Sequence, residues 1–335
     1  MQLNELKEII EKNYNIKIMN IEKVKNTYKI QSDEKAYCIK IIKYDFPHFY
    51  FILSAIKHLQ KNGFETIPEI LKSKDKKDYI SIDNKFAYLT EWIPSRISNY
   101  DNPVELRDIS IKLGELHRCS ENFNITREMK PRYGWYSWIK TFDTRCDEIL
   151  DFQKRINQKA YKTDFDKIFL ENIESEVKRG QEAINGLIKN NYKDVMSKEI
   201  MKCGFCHHDY AHHNILVDEN GELIIIDFDY CILDSHIHDL SSLIIRTMKG
   251  GKWNNKKADL IIDGYCSSNY LNKEELPLMK NFIKFPQSFW QIGLQYYWEQ
   301  QPWGEEFFIN KIIKYLDDRD DREEFLEEYF NDLEV

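Results

Sequence analysis

An α+β protein of two lobes is predicted by three observations. The first 95 residues read mostly as strands, the chain turns helical from about residue 97, and a short extended link, EWIPSR, separates the two regions. The predicted division is an N-lobe over residues 1–90, a hinge over 91–96 and a helical C-lobe over 97–335, with a cleft between lobes as the expected ligand site.

The elements follow in order. MQLNELKEIIEKNYNIKI is a charged amphipathic segment with no signal-peptide apolar region. KIMNIEKV, TYKIQ and AYCIKIIKY are β-rich runs, with SDEK as the turn between the last two. FPHFYFILSAIKHLQKNG reads as a helix, with Pro47 near its start and Gly63 after its end. YISID and KFAYLTEWI add two strands, so the N-lobe is a small sheet with one helix. VELRDISIKLGELHRCS repeats apolar residues at spacings of three and four, and a long helix is expected from Asp164 to Lys189. Short strands are expected around FCHHD and in NILVDENGELIIIDFDY, whose turn is DENG. HDLSSLIIRTMK opens a further set of helices. The acidic tail carries Phe325, Leu326, Tyr329, Phe330 and Leu333 at helical spacing and reads as a docked surface helix.

Composition removes several function classes. The 335 residues carry 48 basic and 56 acidic side chains, a net charge of −8, with no basic stripe, so nucleic acid is not an expected partner. The longest apolar run, FYFILSAI, is far short of a membrane span. Seven cysteines, an odd number without framework spacing, fit a reducing compartment, so cytoplasmic synthesis without secretion is expected.

The stretch FCHHDYAHHNIL crowds four histidines, a cysteine, an aspartate and an asparagine into twelve residues, with Cys203 just upstream. A structural zinc site needs four converging ligands. Strand alternation would turn Cys203 and Cys206 to opposite faces, no second C-x-x-C pair exists, and nothing fixes the approach of His236 and His238. Phosphoryl transfer accounts for more of the residues. His207, Asp209 and Asn214 fall in the order H-x-D-x-x-x-x-N, and Asp227 follows after the apolar strand LIIID. An aspartate that orients a hydroxyl, with an asparagine and a second aspartate for Mg²⁺, is the recurring equipment of kinase-type transfer. Mg²⁺ prefers hard oxygen ligands, which Asn214 and Asp227 supply and imidazole and thiolate do not. Upstream, AYCIK puts Lys40 mid-strand with Cys38 and Ala36 on the same face, leaving room for an adenine and setting an ammonium over its phosphates.

With these residues in place, the chain resembles the aminoglycoside phosphotransferase and choline kinase group of the protein-kinase-like fold, and more closely the CotS family of bacterial spore-coat proteins. The resemblance rests on FILSAIKHLQKNGFETIPEI, YLTEWIPSR, LGELHRCS, CHHDYAHHNILVDENGELIIIDFDY, HIHDLSSLIIRTMKG and FPQSFWQIGLQYYW, in that order along nearly the whole chain. It implies Asp209 as catalytic base, Asn214 and Asp227 as metal ligands, Asp229 as a further acid at the metal, and Lys40 as the phosphate-contacting lysine beside Cys38. It implies Thr90, Glu91, Trp92 and Ile93 as the hinge that receives adenine. His207 would pack beneath the loop and Asp239 would brace its backbone. ATP or another nucleoside triphosphate and Mg²⁺ are the implied cofactors. The implied partners are a hydroxyl-bearing substrate and other spore coat proteins, with synthesis in the mother cell and the spore coat as destination.

Three features set this chain apart within that resemblance. VKNTYKIQ has no glycine where a phosphate loop would lie, the helix of residues 46–61 has no glutamate for Lys40, and His208 precedes Asp209 where a small residue is usual. They favour a second reading, a kinase-fold coat module without turnover. A third, antibiotic or choline-type phosphorylation, predicts an acidic substrate pocket. His208, His212 and His213 read as loop surface, and His117 as a packed helix histidine. Trp290, Tyr296, Tyr297, Trp298 and Trp303 read mainly as core, or else as an aromatic substrate wall.

Overall fold

The computed structural model describes residues 3–333, with side chains to residue 331. The chain forms two compact units: Met1–Asn99 with Arg118–Arg132 and His207–Ile232, and Tyr100–His117 with Tyr133–Cys206 and Leu233–Val335.

The first unit opens with α1 (Leu3–Asn13) and three strands, β1 (Ile18–Val24), β2 (Thr27–Ser32) and β3 (Ala36–Ile42). α2 (Phe46–Lys61) follows, with Pro47 in its first turn and Gly63 just beyond it at φ 86°, a conformation glycine adopts without steric cost. Then come β4 (Ile70–Leu71), β5 (Ile80–Ile82), β6 (Lys85–Glu91) and β7 (Ser95–Ile97). The antiparallel sheet runs β1-β2-β3-β6-β4, with β5 also on β6. β7 pairs instead with β8 (Ile215–Asp218), and β8 with β9 (Leu223–Ile225).

Period-two alternation divides the sheet between a core and a cavity. Ile30, Ile39, Ala87 and Leu89 pack with Leu6 and Ile10 of α1 in one buried cluster. The alternate residues of β3 and β6, Cys38, Lys40, Tyr88 and Thr90, line a cavity of about 540 Å³. In the β3–β6 register Lys40 stands opposite Tyr88, and Cys38 opposite Thr90.

The second unit is helical. It holds α3 (Pro103–Ser120) as far as His117, then α4 (Trp138–Gln158), α5 (Asp164–Lys189) and α6 (Tyr192–Lys202). α7 (Ile237–Met248), α8 (Asn255–Cys266), α9 (Leu276–Lys284), α10 (Gln287–Gly293) and α11 (Glu305–Leu333) complete it. Its core joins Ile149 and Phe152 of α4, Phe165 and Phe169 of α5, Phe289 of α10 and Phe308 of α11. α5 starts on a capping box in which Thr163 Oγ1 accepts from the Asp166 N–H while the Asp166 carboxylate accepts from the Thr163 N–H. α5 and α9 pack closely because Gly186 has no side chain: a Cβ there would lie 1.8 Å from Asn281 Oδ1. In the tail Phe325, Leu326, Tyr329 and Phe330 are buried, whereas the side chain of Leu333 lies outside the described residues.

Two expectations are corrected. FCHHD is not a strand: Cys203 ends α6 in the left-handed conformation at φ 49°, and His208 adopts φ 66°, so strand alternation does not govern this stretch. The aromatic group is only partly core. Tyr297 is buried and Trp290 and Tyr296 pack against the core, but Trp298 and Trp303 remain 41% and 43% exposed. Among the described residues no helix is long and apolar enough to cross a membrane.

Candidate active site

The first unit gathers most of the polar residues singled out in the sequence around one cavity. β9 runs into Asp227, a non-glycine residue in the left-handed region at φ 68°, which turns the chain into a short 3-10 stretch, Phe228–Tyr230. The turn presents two carboxylates to one cation. Lys40 Nζ donates to Asp227 Oδ1 at 2.7 Å and forms an ion pair with Asp229 Oδ1 at 2.6 Å. Lys40 is only 6% exposed. Burial opposes its charge, but the carboxylates of Asp229 and Asp227 outweigh burial and hold the ammonium well above the usual lysine range.

The two carboxylates are not equivalent. Burial raises both, yet the Lys40 ammonium, by its charge and its hydrogen bond, pulls Asp227 below the ordinary value. At Asp229 burial and the neighbouring Asp227 charge outweigh the lowering by Lys40 and Arg132, so its pKa ends up raised.

The loop before β8 supplies the remaining groups. The Asp209 N–H donates to His207 Nδ1 at 3.3 Å, and His207 Nε2 lies 3.0 Å from the Ile226 carbonyl, so the ring is a neutral imidazole protonated at Nε2. His207 is fully buried, and its bond to the Ile226 carbonyl ties the loop to the segment between β9 and Asp227. Asn214 Nδ2 donates to the Asp209 carbonyl at 3.0 Å and to Asp209 Oδ2 at 2.9 Å. With the amide nitrogen committed to Asp209, the carbonyl Oδ1 is the atom Asn214 has to offer a cation. The Ile226 N–H donates to the Asn214 carbonyl at 3.0 Å, which fixes Asn214 beside the acidic turn.

Thr90, Glu91, Trp92 and Ile93 line the same cavity as Lys40, Asn214 and Asp227. That segment is fixed by the Trp92 N–H donating to the Ala36 carbonyl at 2.9 Å and by Ser95 Oγ donating to the Ile93 carbonyl at 3.0 Å. Ile56, Ile67, Ile70 and Ile224 add an apolar lining suited to a flat ring. The β1–β2 turn reaches the cavity with Lys25, Asn26 and Thr27, and only Lys25 and Asn26 separate the paired Val24 and Thr27.

Divalent-metal chemistry fits the residues present. Two carboxylates converge on one positive centre, here the lysine ammonium, and an asparagine carbonyl lines the same cavity. This all-oxygen set is the kind Mg²⁺ takes. Within the loop His212 and His213 are exposed; the buried Cys206, whose thiol donates to the Ser235 carbonyl at 3.2 Å, lies close to His117 and Asp239, three ligand atoms where structural zinc takes four.

Asp239 belongs to the second unit. It is fully buried between His117 Nε2 at 3.4 Å and His238 Nδ1 at 3.2 Å. Burial raises its pKa, but the two imidazoles outweigh that and hold it well below the usual carboxylate range. His117 also meets the Tyr265 hydroxyl at 2.9 Å and is a packed histidine.

Sequence reading missed two residues here. Tyr88 lies on the cavity face of β6, and period-two counting back from Thr90 could have flagged it. Arg132 sits in a segment without periodicity; its guanidinium lies 5.3 Å from the Tyr44 ring and 5.5 Å from the Tyr230 ring, and its charge lowers the Asp229 pKa.

Comparison with solved structures shows the same fold. An aminoglycoside phosphotransferase from Alicyclobacillus acidocaldarius superposes with a TM-score of 0.85 at 18% identity, over 98% of this chain and 96% of that one. Spectinomycin phosphotransferase APH(9)-Ia, solved with ADP and spectinomycin, gives 0.67 at 16% identity over 98% of both chains. Amicoumacin kinase hAmiN, solved with AMP-PNP, Ca²⁺ and Ami, gives 0.67 at 14% identity over 99% of this chain and 97% of that one. At these identities the likeness is one of fold. Residues 7–329 also match the model of a family described as "Spore coat putative kinase YutH", and with nearly its whole length matched the chain belongs to that family of kinase-fold spore coat proteins.

Proposed function

We propose that the protein is a phosphotransferase that uses ATP, or another nucleoside triphosphate, with Mg²⁺ to phosphorylate a hydroxyl on a small molecule or a coat component. The observation that carries this reading is the Lys40 ammonium held between Asp227 and Asp229 at a cavity that Asn214 and the 90–93 segment also line. Membership of a spore coat family supports a coat component as acceptor, and the phosphotransferases of like fold support a small molecule.

Each residue takes a role that its surroundings support. Ile56, Ile67, Ile70 and Ile224 would take the base, and the backbone of residues 90–93 would meet its edge. Lys40 turns from the carboxylates to the phosphates, which it contacts as a point charge. Asn214, Asp227 and Asp229 would hold Mg²⁺, which when bound offsets charge on the β- and γ-phosphates. Asp209, oriented by Asn214, accepts the proton of the acceptor hydroxyl. The hydroxyl oxygen bonds to the γ-phosphorus as the bond to the β–γ bridging oxygen breaks, giving a phosphate ester and ADP. His207 keeps the loop in register with the acidic turn.

The test is thermal unfolding with and without Mg²⁺–ATP. A ligand at a hundred times its Kd adds about 2.7 kcal/mol, a readily measured shift. Asp227→Ala is expected to remove the Mg²⁺-dependent part, and Asp209→Asn to abolish turnover while leaving binding and folding intact. Normal turnover by both variants would sink the site assignment. A second reading, a coat module without turnover, is favoured by the absence of glycine from the β1–β2 turn and of a glutamate from α2 to pair with Lys40. No thermal shift with nucleotide would select it.

A further inference from the structure

We propose that Tyr88 is a positioning residue of this site, whose phenolic hydroxyl holds the Lys40 ammonium in line with a bound nucleotide's phosphates. The inference rests on the phosphotransfer reading above and extends it to a residue outside the acidic turn and the loop.

The need for such a group follows from what surrounds Lys40. The α2 residue that lines the cavity with it is Ile56, 3% exposed and unable to accept a hydrogen bond. The ammonium has three donors. In the structure its acidic partners are Asp227 and Asp229, the same carboxylates that would hold Mg²⁺. Once a metal–nucleotide complex takes those oxygens, the stem of Lys40 is left without a carboxylate from α2 to direct it.

Tyr88 is placed to do this. It stands directly opposite Lys40 in the β3–β6 ladder, where facing Cβ atoms lie about 4.5–5.5 Å apart and long side chains on one face meet. It is 7% exposed, lines the same cavity, and its hydroxyl makes no hydrogen bond with another described residue. Burial raises its pKa, and the Asp229 and Asp227 charges outweigh part of the lowering by Lys40, so the phenol keeps its proton. It can then accept a hydrogen bond from the ammonium and act on the phosphates through Lys40 alone.

The alternative is that Tyr88 is only a wall, its ring filling space beneath the base. Tyr88→Phe separates the two, because it removes one oxygen and keeps the ring. Binding of Mg²⁺–ATP and of adenosine is measured by calorimetry for the full chain, Tyr88→Phe, Lys40→Met and the double variant. The expected result is a loss of about tenfold for Mg²⁺–ATP in Tyr88→Phe, the scale of a hydrogen bond to a charged group, with adenosine unchanged. The double variant is expected to bind ATP no more weakly than Lys40→Met alone. Unchanged ATP affinity, equal losses for ATP and adenosine, or additive losses in the double variant would each overturn the inference while leaving the phosphotransfer reading in place. A wild-type chain that binds neither ligand would overturn both.

Discussion

At the scale of single residues, the acidic turn is a charge balance that removal of one member upsets. Lys40 is buried, and Asp227 and Asp229 are half-buried against it. Lys40→Met leaves two neighbouring carboxylates without their cation, which is expected to cost about 1–3 kcal/mol of stability at neutral pH. Urea unfolding measures it, and an unchanged midpoint would mean that the pair contributes nothing to the folded state. Asp209 differs because it is bonded to the neutral amide of Asn214 and its basic neighbour, His213 at 4.0 Å, is exposed, so Asp209→Asn leaves no buried cation behind. This is why it serves as the functional probe. The chemistry of this set was legible in the sequence because H-x-D-x-x-x-x-N and IDFDY each fix their side chains locally. Tyr88 was harder to see. Its importance lies in facing Lys40, and cross-strand register is set by the whole ladder and not by neighbouring residues.

At the scale of elements, the α5–α9 contact gives a prediction whose sign depends on two opposed terms. Alanine is favoured over glycine in a helix interior by about 1 kcal/mol. At Gly186 a Cβ would collide with Asn281, which is buried and bonded to the Pro277 carbonyl. Gly186→Ala is therefore expected to destabilise by about 1–2 kcal/mol. In an Asn281→Ala background the same change is expected to stabilise by up to about 1 kcal/mol, as propensity alone remains. Denaturant midpoints of the four proteins test this, and destabilisation in both backgrounds would rule out the collision. The first three strands, α2 and α5 were readable because alternation or helical spacing agreed with their Pro, Gly and cap residues. FCHHD was misread because its backbone is set by the left-handed residues Cys203 and His208, which residue type does not announce. Trp298 and Trp303 were misjudged for a similar reason, since aromatic identity gives the size of a burial energy and not whether burial occurs.

At the scale of the whole molecule, pH sensitivity of folding is expected to reside in a buried ion cluster of the second unit. His236 meets Glu199 at 2.9 Å and Glu275 at 3.5 Å, and Glu199 also pairs with Lys202 at 2.5 Å. Burial would lower the His236 pKa, but the two carboxylates outweigh it and raise it to about 9. A raised histidine pKa means that the stabilisation is complete below the unfolded value near 6.5 and is lost as pH rises through about 9. Glu199 works in the opposite direction: burial raises it, His236 and Lys202 lower it further, and its contribution is lost in acid. Unfolding free energy is thus expected to fall by up to about 3 kcal/mol between pH 6.5 and 9.5, and His236→Gln is expected to flatten that slope. A wild-type slope as flat as the variant's would show that the cluster does not govern it.

The β1–β2 turn bears on time as well as on binding. Its ladder stays paired to Val24 and Thr27, Thr27 Oγ1 bonds back to the Val24 carbonyl at 3.0 Å, and only two residues cross between the strands. Such a tip has little freedom to swing down over a nucleotide or to trap it. On the phosphotransfer reading, entry and exit of a nucleotide would then be simple encounters that wait on no folding of the turn. Stopped-flow mixing is expected to show a single exponential whose rate rises linearly with nucleotide concentration, with an association rate constant in the ordinary range of about 10⁵–10⁷ M⁻¹s⁻¹.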